Sequence, residues 1–196
     1  MDETHTIPNY PWYQIGKIED FYQRKESESE ITEIPRILQQ GFLVFDCPVF
    51  DVSNYYGEFD NLKDGEETDI EPDIKRINLI IVTQSCDLAN DRTEQVLLCG
   101  FFSASNPDYQ KNLQNIKTSK MPAFCMIEAS EGVDIHLPSF ERQVIDFRAV
   151  YTLPKKYVLE FIGNKTIVRL LPPYREFVAQ AFARFFMRVG LPKDLQ

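Results

Sequence analysis

The chain has 196 residues, 43% of them hydrophobic, and sets 30 Asp and Glu against 21 Lys and Arg for a formal net charge of −9 at pH 7. That length suits one generous domain, or one domain with an appendage. The charge disfavours RNA or DNA as the main partner, because phosphate neutralisation supplies most non-specific affinity.

No stretch reaches the roughly 20 apolar residues that cross a bilayer, so no membrane association is expected. The N-terminus, MDETHTIPNYPWYQIG, shows no basic segment followed by an apolar core, so a cytoplasmic location is expected. Cys47, Cys86, Cys99 and Cys125 fall mostly inside apolar runs and read as buried, reduced thiols.

Residues 1–33 read as an N-terminal arm, and 34–196 as a single domain. Ile15, Ile18 and Tyr22 fall at helical spacing within the arm. The run KESESE, Lys25 to Glu30, is too charged to bury. Phe42–Phe50 reads as the first strand, at an edge or bent at Pro48, since proline cannot donate to a ladder. Asp51 to Asp73 is a long acidic loop, and such loops inside a domain are functional or disordered.

Ile77–Val82 and Val96–Phe102 read as buried strands lying side by side. The polar loop between them, Thr83 to Glu94, is where stiff flanking strands could hold a site. Pro107, capped by Ser105 or Asn106, predicts a helix ending near Lys120. Strands are expected at Ala123–Ala129, Val133–Leu137 and Gln143–Leu153, then a hairpin of Tyr157–Ile162 and Thr166–Leu171 across Gly163-Asn164. The apolar positions Tyr174, Phe177, Val178, Ala181, Phe182, Phe185 and Val189 predict a packed C-terminal helix within 173–190. Phe185, Phe186, Met187 and Val189 are also the candidate seam of a homodimer or groove for a partner. The sum is a mostly β, α+β fold: a small SH3-like barrel or curled antiparallel sheet with one helix in the middle and a packed C-terminal helix.

Several side chains carry candidate chemistry. Cys86, with His136 as base and Asp87 or Asp146 orienting it, could form a nucleophile pair and make the chain a Cys-dependent hydrolase. The bland alternative has Asp87 and Asn90 capping a tight turn through bonds to backbone amides. A zinc site from the four cysteines and His136 lacks the close spacing of zinc motifs, and no metal or cofactor is implied. The carboxylates Glu58, Asp60, Asp64, Glu66, Glu67, Asp69, Glu71 and Asp73 are the candidate binding surface for a basic protein partner.

The order of strand, long loop, Arg, strand, polar turn, strand and small hydroxyl residues resembles the PemK/MazF family of bacterial toxins, SH3-like barrels related to CcdB. The matching parts are Gly41 to Asp46, the loop 51–75, Arg76 leading into Ile77–Val82, and Val96–Phe102 leading into Ser103-Ala104-Ser105. The resemblance implies metal-independent endoribonuclease chemistry, with Arg76 stabilising charge on a phosphorane. Its hydroxyl position falls on Phe102 or, one residue later, on Ser103, with Ser105 also close by. It also implies a toxin–antitoxin, stress or phage-defence setting. The acidic balance puts protein binding ahead of RNA cleavage.

Overall fold

Residues 13–16, 38–51, 63, 73–130, 139–163, 165 and 167–187 are described in the computed structural model. The apolar run Phe42 to Phe50 builds strand β2 (Phe42–Asp51), and the branched run Asp73–Ile81 builds β3 beside it. After a short helix α1 (Ser85–Ala89), strand β4 (Gln95–Ser103) returns along β3 with Leu79 opposite Gly100 and Ile81 opposite Leu98. The two apolar runs are therefore antiparallel neighbours, as the curled-sheet expectation requires.

Helices α2 (Pro107–Gln110) and α3 (Leu113–Lys117) follow, then β5 (Phe124–Ile127) and the long β6 (Gln143–Pro154). The expected mid-chain helix is thus two short ones. Asn106 is the N-cap of α2, accepting from the Asp108 amide at 3.0 Å. Strand β1 (Tyr13–Gly16), helix α4 (Lys155–Ile162), strand β7 (Ile167–Leu170) and helix α5 (Tyr174–Phe186) complete the set.

The strands form one antiparallel sheet in the order β1-β7-β2-β3-β4-β6-β5, curled and not closed. Its edges, β1 and β5, do not meet. Side chains alternate between the two faces, and both faces are covered. Phe42, Val44, Leu79, Ile81, Val96 and Leu98 pack against Val158 and Ile162 of α4. Leu43, Ile80, Phe101, Ile145, Phe147 and Val168 pack against Val178 and Phe182 of α5. Farther along the α4 face, Tyr109 and Ile116 of α2 and α3 cover Val144, Phe124 and Met126.

Two expectations fail. Tyr157–Ile162 is no strand and makes no hairpin; it is all of α4 but its first two residues. Its sequence, YVLEFI, is a short apolar run that reads equally as a buried strand, but it places Val158 and Ile162 four apart, and those two are its buried residues. Tyr157 and Phe161 stack on the same helix at 6.4 Å between ring centroids. In the arm, Ile15 lies in β1 opposite Val168, so its helical spacing to Ile18 and Tyr22 is not used as helix there. An extended segment was the cheaper partner for a sheet edge.

Pro48 is tolerated as expected. β7 pairs with β2 only at Phe42 and Leu43, leaving the Pro48 half of β2 bonded on one side. The ladder also bulges between Val44 and Cys47, where Asp46 has φ of 51° and its amide donates to Asn78 Oδ1. The expected strand Val133–Leu137, most of the acidic loop and the helix end beyond Met187 lie outside the described residues. No helix among the described residues is long and apolar enough to cross a membrane.

Candidate functional site

The loop between β3 and β4 seals one end of the sheet and touches both layers. Thr83 holds it at its start: its Oγ1 accepts from the Leu97 amide at 2.6 Å. The Ser85 hydroxyl accepts from the Gln40 amide at 3.0 Å. Leu88 is fully buried among the α4-face residues. Lys155, at the start of α4, donates to the Leu88 carbonyl at 2.6 Å and pairs with Asp91. On the opposite side a cleft of about 740 Å³ opens towards α5, lined by Gln84, Asp87, Arg92, Thr152, Ala179 and Phe182.

Cys86 is the exposed cysteine of this loop; Cys47, Cys99 and Cys125 are buried free thiols. The Cys86 thiol lies 3.5 Å from Gln84 Oε1 and 3.8 Å from Asp87 Oδ1. Asp87 faces Arg92 at 3.6 Å, and Asn90 donates to the Cys86 carbonyl at 2.7 Å. The turn residues thus bind a carbonyl and a guanidinium in place of the backbone amides expected of them. A five-residue helix has already used those amides. His136 is outside the described residues. Asp146 is held by Arg148 on β6, away from this loop. Cys47 belongs to the α4 face and Cys99 and Cys125 to the α5 face. Among the described residues no group of His, Cys, Asp and Glu could hold a metal ion.

Arg76 stands exposed on the part of β3 that pairs only with β2, opposite Pro48. Its Nη1 donates to the Asp46 carbonyl at 3.4 Å. The β3–β4 ladder is formed only from Leu79–Gly100 onward, so Arg76 and Ser103 are not paired across it. Ser103 and Ser105 instead share one acceptor. The Ser103 hydroxyl donates to Glu141 Oε1, and that of Ser105 to Oε2 at 2.6 Å. These bonds, Ser103 first, hold the Glu141 carboxyl below its ordinary range. Of the acidic candidates, Asp73 is described and lies opposite Asp51; Glu58, Asp60, Asp64, Glu66, Glu67, Asp69 and Glu71 lie outside the described residues.

Two features escape a reading of the sequence. Asp146 is buried, and Arg148 grips it with Nε at 2.9 Å and Nη2 at 2.7 Å. Tyr109 donates to the same carboxylate at 3.4 Å, and Arg148 lies over the Phe124 ring at 4.7 Å. Burial first, then the Asp146 charge, pushes the Tyr109 phenol up to about 12. A pocket of about 360 Å³ adjoins this cluster. Its signal was the i, i+2 pair Asp146 and Arg148, which one strand sets on one face. The second feature is an apolar groove of about 710 Å³ between α3 and α5, with Ile116, Phe124, Met126, Phe177 and Ala181 among its walls. It joins segments some sixty residues apart, so no local pattern announces it.

No family model matches the chain, and no curated protein matches it.

Proposed function

We propose that this chain is a toxin-like binding module of a bacterial toxin–antitoxin, stress or phage-defence system, acting mainly through protein partners. The observation that carries this reading is the open apolar groove between α3 and α5, where Phe177 is 44% exposed. An exposed apolar groove rimmed by polar residues is a place where a protein contact can form. The net charge of −9 points the same way, since it repels phosphate.

Ribonuclease chemistry ranks second. The hydroxyls it would use, Ser103 and Ser105, are hydrogen-bonded to the Glu141 carboxylate, and an anion beside them opposes an approaching phosphate. Arg76, though exposed, shares no hydrogen bond with them.

The purified protein is expected to leave single-stranded RNA intact, and Arg76→Ala to behave identically. Cleavage that disappears in Arg76→Ala would replace the binding reading with the enzymatic one. Crosslinking in host cells should capture protein partners that Phe177→Asp, a change at an exposed site, no longer holds.

A further inference from the structure

The groove between α3 and α5 runs along the outer edge of the sheet, and its floor is β5. Which of the backbone groups of β5 face outward follows from the ladders. The Phe147 amide donates to Ala123, and the Ala104 amide to Arg142. Gln143, Ile145 and Phe147 therefore turn their backbone groups to β5, and Val144 and Asp146 turn theirs to β4. On β5 the residues bonded to β6 are Cys125 and Ile127. Phe124 and Met126 point their backbone groups away from the sheet. The Phe124 amide is taken by the Met121 carbonyl at 3.0 Å. Among the described residues the Met126 amide and the Phe124 carbonyl have no ladder partner and are directed into the groove, as is the Met126 carbonyl, which meets only the Cys125 thiol at 3.9 Å.

An edge with unused ladder groups is a template for another strand. Here it is flanked on both sides. Ile116 and Lys117 form the α3 wall, and Phe177, Ala181 and Arg184 the α5 wall. Successive side chains of an incoming strand would meet the two walls alternately. Lys117 and Arg184 make no ion pair among the described residues, although the chain as a whole is acidic. Glu128, the groove's carboxylate, is bound by Arg142 at 2.8 Å. A second copy docking edge to edge about a two-fold axis would bring Lys117 and Arg184 against the same cations.

We infer that β5 is a docking edge for an extended protein segment that adds as an eighth strand, apolar where it meets the groove walls and acidic where it meets Lys117 and Arg184. Main-chain bonds would supply affinity, and the two walls and two cations the selection. The inference rests on the protein-binding reading and gives that reading a site and a partner chemistry.

A fluorescein-labelled Glu-Val-Ile-Val-Leu-Glu peptide, followed by anisotropy against the full chain, tests it. The peptide is expected to bind, and the same peptide with Lys at both ends to bind at least tenfold more weakly. Met126→Pro removes the outward amide, a change an edge strand tolerates, together with a side chain packed against α2 and α3, and should weaken binding at least tenfold. Lys117→Glu with Arg184→Glu, both exposed, should reverse the preference between the peptides even if the proline variant folds poorly. Hydrogen exchange at the Met126 amide should slow when peptide is present. Equal binding of acidic and basic peptides, no binding of either, or an unchanged affinity in folded Met126→Pro overturns the inference. So does self-association that Met126→Pro abolishes, which would assign the edge to a second copy. Crosslinked partners that persist in Met126→Pro would refute this edge while leaving protein binding standing. RNA cleavage lost in Arg76→Ala would remove the underlying reading.

Discussion

Two hydroxyls converge on the carboxylate of Glu141, and its backbone carbonyl accepts from the buried Gln143 side chain at 2.8 Å. Its carboxyl is lowered from an ordinary 4.5 by Ser103 first and Ser105 second. A depressed acid stabilises the fold fully above its unfolded value and loses that contribution as pH falls through the folded one. Ser103→Ala should therefore move the Glu141 titration, read by carboxyl-carbon NMR, back up towards 4.5. No movement would mean that the serines are bystanders. The cysteines separate as sharply. Burial pushes the Cys99 and Cys125 thiols to about 12 and raises Cys47 as well. Iodoacetamide at pH 8 should label Cys86 in the folded chain and reach the other three only after denaturation. Mass spectrometry of labelled peptides decides it.

At the level of elements, the loop 83–94 depends on a contact with α4 that is distant in sequence. Lys155 keeps 15% of its side chain exposed while its ammonium donates to the Leu88 carbonyl. A hydrogen bond to a charged group is worth about 1.5–3 kcal/mol, whereas the exposed Asp91 partner adds little. Lys155→Met should cost about 1–2 kcal/mol in urea unfolding and speed amide exchange from Cys86 to Arg92. Asp91→Asn should cost much less. Equal losses would place the energy in the ion pair. Misreading Tyr157–Ile162 as a strand belongs to this scale too. Six residues hold fewer than two helical turns, and a short apolar run fits a buried strand and a buried helix alike. Lys155 facing the loop and Val158 facing the sheet settle the choice, and both are tertiary facts.

For the whole molecule, a sheet covered on both faces makes the helices part of the core. Phe147 is fully buried and meets Phe182 at 5.6 Å and Phe185 at 6.1 Å. Phe147→Ala should cost about 3–5 kcal/mol and loosen α5, visible as a lower urea midpoint and loss of near-ultraviolet dichroism. A loss below about 1 kcal/mol would show that α5 is not held by this face. Phe186 and Met187 remain exposed at the end of α5, so a homodimer through that helix would have to cover them. Phe186→Glu with Met187→Glu should then convert such a dimer to monomer in sedimentation.

Much of this architecture is legible in the letters, because local physics writes it there. Branched apolar runs made β3 and β4, the 3, 4, 7, 8 spacing made α5, and Asn106-Pro107 started α2. The loop carrying Cys86 was likewise visible as polar residues between two stiff strands. Only the tertiary structure decided that this loop borders a cleft against α5, that Ser103 and Ser105 bind Glu141 while Arg76 binds Asp46, and that Asp146 is gripped by Arg148. Backbone propensity acts over a few neighbouring residues, whereas a groove between α3 and α5 is made by segments that meet only when the sheet is complete.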